Sequence, residues 1–236
     1  MPDIRYLKIE FSNELAPDDI PKFRAAVIEK TERGSPFFHN HQGESGFHYR
    51  YPLIQYKTLR RKACLLCLQE AIESVPLLFQ EDMVLRIGSR EEPFTVERLD
   101  MNHAAVDITE HPAAYRLRDW QALNQENYRK YLALPDQAAR MAMLEKILTG
   151  HLLGFAQGID WHVPTQLKVQ VTKLTGNGRR RFKGQSIETF SLQFTANLSL
   201  PDFIGLGKGS SIGFGVVSRI REQPAEPASE IETNLT

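Results

Sequence analysis

Hydrophobic and polar positions along the first hundred residues predict elements in the order strand, helix, strand, strand, helix, strand, with a strand pair at the last position. Apolar and polar side chains alternate over residues 4–11, as in a strand. Ile20, Phe23 and Val27 show the i, i+3, i+7 spacing of a helix that begins near Pro17. The other elements are strands at residues 52–56 and 63–68, a short helix at 70–79, and a strand pair at 83–87 and 94–101 around a turn at 88–90. This order is that of a ferredoxin-like domain.

The second half shows a related pattern after a predicted linker or crossover at residues 103–112. Alternation predicts a strand at 114–123. Helical spacing predicts a helix at 125–132 and a longer one that opens at Asp136, with an apolar face that includes Leu144, Leu148 and Phe155. Further strands are predicted at 167–174 and 187–200, separated by a turn at 175–178, and a last strand begins at Ile212. A glycine-rich loop precedes that last strand, at the position of the second helix.

We therefore predict an α+β fold of two tandem ferredoxin-like (βαββαβ) domains. The first spans residues 1–103 and carries the histidine-containing loop described below. The second spans residues 112–221, with a helix replaced by a glycine-rich loop. Residues 222–236 are acidic and polar, and we predict that they are disordered.

The stretch FIGLGKGSSIGFGVV at residues 203–217 is here called the glycine segment. It contains five glycines and one lysine: Gly205, Gly207, Gly209, Gly213, Gly215 and Lys208. Alternating glycines expose backbone N–H groups and form an anion-binding concavity. Phosphate loops of nucleotide-binding folds follow an early strand and open a helix, whereas this segment lies near the end of the chain and runs into a strand. The pattern therefore favours an exposed donor surface that grips the backbone of a polymer.

Composition and charge narrow the function classes only slightly. The formal net charge is +0, whereas a nucleic-acid-binding protein usually has a basic excess, so such a site has to be a local patch. No apolar run is long enough to span a bilayer and the N-terminus lacks the pattern of a signal peptide, so we predict a cytoplasmic protein. Cys64 and Cys67 lie in an apolar run without a second pair of zinc ligands, which indicates buried, reduced thiols.

Clusters of basic residues are the candidates for a local patch. Taken alone, each is more typical of a solvated face than of a binding site. The clusters are Lys57, Arg60, Arg61 and Lys62; Arg179, Arg180, Arg181 and Lys183; and Lys208.

The sequence FHNH contains the sharpest candidates for chemistry, His39 and His41. In an extended segment, residues i and i+2 point to the same side, which would let both imidazoles face one way. Two such groups supply a base and an acid near neutral pH. Cleavage of RNA by its own 2′-hydroxyl needs both, and a cation to stabilise the phosphorane. Tyr49 is a candidate to orient a histidine or to stack on a base.

Two other interpretations of the histidine pair stay open at this point. Two histidines occur by chance in many polar loops. An H-x-H pair also serves as part of a metal site in hydrolases, although no acidic or histidine partner stands at a convincing spacing.

Taken together, these residues resemble the CRISPR-associated repeat-RNA endoribonucleases, the Cas-six family. The resemblance lies in GLGKGSSIGFG, in further C-terminal stretches (ILTGHLLGFAQGIDWHV, RFKG and NLSLPDFIGLGKG), and in FHNH and YPLIQYK of the N-terminal half. It covers nearly the whole chain up to Ile220. It implies two ferredoxin-like domains and cleavage within CRISPR repeat RNA without metal or cofactor, leaving a 2′,3′-cyclic phosphate and a 5′-hydroxyl.

The resemblance also assigns roles to residues of this chain. The general acid or base of many members is a histidine after the first helix, a place that His39 and His41 occupy, and Lys57 or Lys208 would neutralise the phosphate. The glycine segment and the cluster at residues 179–183 would hold the RNA. CRISPR repeat RNA is the expected partner, effector-complex subunits are candidates, no membrane is expected, and a homodimer is left open. The alternative function is a non-catalytic RNA-binding subunit of a CRISPR ribonucleoprotein complex.

Overall fold

The structure is a computed structural model that describes residues 3–31, 35–39, 51–182 and 184–221. Within these residues, no helix combines the length and the apolar composition needed to cross a membrane. The tail at 222–236, predicted to be disordered, lies outside the described residues.

The first half forms a four-stranded antiparallel sheet with helices on one face. In chain order its elements are β1 (Asp3–Glu14), α1 (Ile20–Lys30), α2 (Pro36–His39), β2 (Ile54–Leu59), β3 (Lys62–Leu68), a 3-10 helix (Gln69–Phe79), β4 (Val84–Ile87), β5 (Arg90–Pro93) and β6 (Val96–Ala105). The sheet order is β2-β3-β1-β6, while β4 and β5 form a separate hairpin. Alternate residues of β1, such as Ile9 and Phe11, pack against Phe23 and Val27 of α1 to form the first core.

The second half repeats this strand arrangement. Its elements are β7 (Ile108–Trp120), α3 (Gln125–Leu132), α4 (Gln137–Gly158), β8 (Val169–Phe182), β9 (Gln185–Leu198), a 3-10 helix (Ser210–Ile212) and β10 (Val216–Arg219). The sheet order is β10-β7-β9-β8, and all pairs are antiparallel. The side chain of Asp136 caps α4 by accepting a hydrogen bond from the Ala139 N–H. The apolar face of α4 covers the sheet through Leu144, Leu148 and Phe155.

The predicted α+β class with antiparallel sheets is confirmed. The bounds of α3 agree with the prediction, and both cysteines are buried and free, as expected for reduced thiols. The strand at residues 94–101 also exists, but it pairs with β1 rather than with residues 83–87, whose partner is β5.

Two other predicted features were wrong. The stretch at residues 103–112, predicted as a linker or crossover, is instead mostly strand: residues 103–105 end β6 and residues 108–112 begin β7, because backbone pairing with β1 and β9 holds polar residues such as His103 in the sheets. The turn at residues 175–178 is instead part of β8: Gly176 and Gly178 lie in register with Ser191 and Thr189. The chain reverses after Phe182, where Gly184 has φ +75°.

The glycine segment joins the two cores. Its Ile204 and Leu206 are buried in the second core, whereas Ile212 and Phe214 are buried in the first. The face of the first sheet that points away from α1 contributes Leu66 to the second core. The two halves are therefore packed against each other through this segment and one sheet face.

Candidate functional site

The glycine segment folds back on itself at the junction of the two halves. The Phe203 N–H donates to the Val217 carbonyl (2.7 Å) and the Leu206 N–H donates to the Gly215 carbonyl (2.8 Å). The structure describes residues 205–217 throughout, and within them Lys208 is the one exposed side chain. The segment is therefore mostly buried, in contrast to the exposed donor surface expected from its sequence. The reason is that its apolar residues are drawn into both cores.

Gln55 of β2 ties the glycine segment to the first sheet. Its Oε1 accepts a hydrogen bond from the Gly205 N–H (2.8 Å), and its Nε2 donates to the hydroxyl of Tyr51 (2.8 Å). The side chain is fully buried, so both bonds are protected from water and fix the approach of the segment. The sequence analysis did not single out Gln55. Its only signal is a polar residue within the apolar run at residues 53–56.

The stretch at residues 35–51, which contains His39, His41 and Tyr49 and is here called the histidine segment, starts next to the same strand. Phe38 is buried in the first core, and its carbonyl accepts a hydrogen bond from the hydroxyl of Tyr56 (3.4 Å). A hydrogen bond between the hydroxyls of Ser35 and Ser74 (2.6 Å) holds the start of this short stretch. His39 is the last residue of α2, so the extended backbone assumed for the histidine pair is absent at its first member.

The other members of the predicted catalytic set have different placements. His41 and Tyr49 lie outside the described residues. Lys57 follows Tyr56 on β2 and has no exposed surface. A Cβ atom added to Gly213 would stand 3.4 Å from the Tyr56 carbonyl oxygen and 3.8 Å from the Lys57 Cα, so this strand lies directly under the glycine segment. The structure thus brings the start of the histidine segment, β2 and residue 213 to one junction.

Burial sets the electrostatics of Lys57. Its Nζ has no hydrogen-bond partner among the described residues. Desolvation disfavours the charged amine and lowers the pKa of Lys57 to about 7. Desolvation also raises the pKa of the neighbouring Cys64 thiol to about 12. In this arrangement the amine is buried and shielded from a phosphate in solvent.

The basic cluster at residues 179–183 lies on a strand rather than in a loop. Arg179 forms an ion pair with Glu188 across the β8–β9 ladder, Arg181 is exposed, and Lys183 lies outside the described residues. Arg180 instead turns toward the first half, as discussed below. Arg179 and Arg181 are therefore exposed cationic residues at the end of a long hairpin.

No cluster of three or more histidine, cysteine, aspartate or glutamate side chains suited to a metal ion occurs in the part of the chain that the structure describes. This finding does not bear on the histidine pair, since His41 is not among those residues and the side chain of His39 is not described.

Comparison with known proteins identifies the family. The family model of the Cas6b N-terminal domain matches residues 2–105, and that of the Cas6b C-terminal domain matches residues 107–220. This chain belongs to the Cas6b family. A crystal structure of Cas6b superposes with a TM-score of 0.82 and 26% sequence identity, over 93% of this chain and 100% of that chain.

Two further proteins are similar to this chain. A structure described as the CRISPR RNA processing endoribonuclease Cas6b has a TM-score of 0.71 at 22% identity, over 93% of this chain and 100% of that one, and so shows the shared fold. An uncharacterised protein of Methanocaldococcus jannaschii is 32% identical over 116 residues, which are 49% of this chain and 78% of that protein. The resemblance found in the sequence is thereby confirmed.

Proposed function

We propose that this chain is a metal-independent endoribonuclease that cleaves CRISPR repeat RNA to make mature guide RNAs. The 2′-hydroxyl next to the scissile bond attacks the phosphate, and the products carry a 2′,3′-cyclic phosphate and a 5′-hydroxyl. The observation that carries the proposal is membership of the Cas6b family, both of whose domain models match this chain. The meeting of the histidine segment, β2 and the glycine segment at one junction supports a site there.

Each residue of the proposed site has a distinct task. One of His39 and His41 takes the proton of the 2′-hydroxyl and the other protonates the departing 5′ oxygen. Tyr49 orients a histidine. Lys57 neutralises the phosphate only if the structure around it rearranges, since its amine is buried here. Lys208 is exposed, so it contacts RNA phosphates without rearrangement.

The same proposal includes the glycines of the glycine segment and the cluster at residues 179–183 as RNA-binding groups. It also treats the two halves as tandem ferredoxin-like domains, the second with the glycine segment in place of a helix. The matching strand orders of the two sheets support this interpretation.

The proposal is tested with CRISPR repeat RNA as the substrate. We expect the wild-type protein to cut this RNA once per repeat in the presence of EDTA, because proton transfer and attack need no metal. A single 2′-deoxy substitution at the scissile position should block the cut, since it removes the nucleophile. Mapping of the product ends should give a 2′,3′-cyclic phosphate and a 5′-hydroxyl. Cleavage that stops in EDTA and returns with Mg²⁺ would contradict the metal-free mechanism.

The double variant His39→Ala, His41→Ala tests the catalytic pair. We expect cleavage to fall by about 100-fold or more while RNA binding persists, as is typical for loss of an acid or base. His111→Ala is the matched control, because His111 is exposed on β7, and it should cleave like the wild type. Equal cleavage by the wild type and the double variant would remove both histidines from the mechanism. Binding without any cleavage by the wild type would favour the RNA-binding subunit instead.

A further inference from the structure

His151 of α4 stands beside the glycine segment and has a fixed tautomer. The indole N–H of the buried Trp120, at the end of β7, donates to His151 Nδ1 at 3.0 Å, and the two rings are perpendicular. An indole N–H is only a donor, so Nδ1 has to be the acceptor and the proton of the neutral imidazole is on Nε2. Burial lowers the pKa of His151 to about 4, so the ring is neutral near pH 7.

The imidazole ring of His151 lies at the edge of the glycine segment. A Cβ atom at Gly207 would stand 2.8 Å from Cε1 and from Nδ1 of His151, and also 2.8 Å from the indole nitrogen of Trp120. The Nδ1–Cε1 edge of the ring therefore faces Gly207, and Nε2, which is bonded to Cε1, lies one bond beyond this edge. Among the described residues, no hydrogen-bond acceptor is found for Nε2, and the ring is partly exposed.

The surroundings of this donor are suited to a ligand chain. The exposed Lys208 follows Gly207 directly, and its backbone pairs with Gln121, the residue after Trp120. On α4, His151 is flanked by Gly150 and Gly154, both exposed, with no atom within 4 Å of the place where either Cβ would be. The ring of His151 therefore lies between a cation and an open stretch of helix surface.

We propose that the Nε2–H of His151 donates a hydrogen bond to a phosphodiester oxygen of the RNA strand that Lys208 also contacts. The inference rests on the proposed function, since it requires that this chain binds RNA. A phosphate oxygen accepts hydrogen bonds in every nucleotide, so this contact positions the strand without reading its sequence. Because the donor is neutral, its contribution to affinity is independent of counterion release, whereas that of Lys208 depends on it.

Two substitutions of His151 distinguish the roles of its two ring nitrogens. His151→Asn places an amide oxygen near the position of Nδ1, where it accepts from Trp120, but removes the distal donor. His151→Gln places an amide N–H near the position of Nε2 but leaves the indole N–H without an acceptor. The probe is repeat RNA made uncleavable by a 2′-deoxy nucleotide at the scissile position, and its Kd is measured at several salt concentrations.

We expect His151→Asn to bind this RNA about 5- to 10-fold more weakly, as for loss of one hydrogen bond, with an unchanged slope of affinity against salt. His151→Gln should bind within about 2-fold of the wild type, although its thermal midpoint falls, since a buried indole N–H loses its partner. Lys208→Gln should lower the salt slope by about one unit. In cleavage assays His151→Asn should raise KM and leave kcat unchanged. His111→Asn controls for loss of a surface histidine.

The opposite pattern, in which His151→Asn keeps its affinity and His151→Gln loses it, would show that the histidine only supports Trp120. Equal affinity of both variants and the wild type would also overturn the inference. The wild-type protein gives a second measurement: the Nε2–H resonance of His151 should shift downfield on addition of the RNA, and an unchanged resonance contradicts the contact. A wild type that binds no repeat RNA would overturn the proposed function itself, a result distinct from each of these.

Discussion

Lys57 and Lys8 show how strongly the position of a lysine on one sheet face decides its chemistry. Lys8 of β1 forms ion pairs with Glu10 (2.6 Å) and Asp100 (3.1 Å), which satisfy its charge. Lys57 is the register partner of Cys64 on β3 and has no carboxylate partner of this kind among the described residues. A buried amine without a partner favours its neutral form. Folding therefore stabilises the deprotonated state of Lys57.

Replacement of Lys57 by methionine should stabilise the protein at neutral pH. The ordinary pKa of a lysine amine is 10.5, and burial in the folded protein lowers the pKa of Lys57 to about 7. Between these values the unfolded state binds more protons, so the free energy of unfolding of the wild type rises as the pH increases from 7. We expect Lys57→Met to gain about 1 to 4 kcal/mol at pH 7, and the gain to shrink toward pH 9. Urea unfolding across this range measures both quantities.

Lys22→Met is the matched control for this experiment. Lys22 is exposed and pairs with Asp19 at the surface, so its loss should change the free energy of unfolding by less than about 1 kcal/mol at any pH in the range. A Lys57→Met protein that is less stable than the wild type, or that keeps the same pH dependence, would mean that the lysine is charged and paired in solution.

At the level of elements, close packing within the glycine segment explains why some of its positions have to be glycine. Gly215 has φ +62°, and a Cβ atom there would stand 2.0 Å from the carbonyl oxygen of Leu206 on the opposite arm of the segment. Such a contact involves backbone on both sides and cannot be relieved by a change of rotamer. Glycine at this position is therefore required by the fold itself, whatever the segment binds.

Gly215→Ala and Gly184→Ala separate the effect of packing from that of backbone conformation. Gly184 also has a positive φ, +75°, but nothing lies within 4 Å of its Cβ position. An alanine there should lower the free energy of unfolding by about 1 to 2 kcal/mol, because a residue with a Cβ atom is strained in the left-handed conformation. Gly215→Ala introduces the same strain and also a clash with the Leu206 carbonyl oxygen. It should therefore lower the free energy of unfolding by about 4 kcal/mol or more. Urea unfolding compares them, and similar costs would contradict the packing observed around Gly215.

At the scale of the whole molecule, Arg180 fastens the β8–β9 hairpin and the glycine segment to the first half. Its guanidinium donates to the carbonyls of Gly213 (3.1 Å) and Pro17 (2.7 Å) and lies 4.3 Å from the ring centroid of Phe214. Desolvation lowers the pKa of Arg180. These contacts join residues from three distant parts of the chain. They also compete with the RNA-binding role predicted for Arg180, since both of its terminal nitrogens donate within the protein.

Arg180→Met should reduce the free energy of unfolding by about 1.5 to 3 kcal/mol, because two charge-assisted hydrogen bonds and a ring contact are lost. Arg179→Met is the matched control on the same strand. Arg179 pairs with Glu188 at the surface, so its loss should cost less than about 1 kcal/mol. Urea unfolding of the two variants gives this difference. If Arg180→Met is as stable as the wild type but reduces the salt dependence of RNA binding, Arg180 contacts RNA and does not clamp the halves.

The elements that the sequence predicted well are those whose signal is local. The helix at residues 125–132, the cap at Asp136 and the strand at the N-terminus each follow from periodicity and end signals within a few residues. The turn at residues 175–178 was predicted from the same kind of local signal and was wrong, because pairing with β9 keeps those glycines extended. Local turn chemistry is a preference that a long neighbouring strand overrides.

The sequence by itself determined the family, the α+β class and the candidate residues of the histidine and glycine segments, because these depend on residue types at short spacing. Only the tertiary structure decided which polar groups meet. Gln55 binds Gly205 across 150 positions of the chain, and Trp120 fixes the tautomer of His151. It also decided that Lys57 is buried and that Lys208 is exposed. The physical reason is that contacts between distant side chains leave no periodic pattern in the sequence and arise only when the two cores close on the glycine segment.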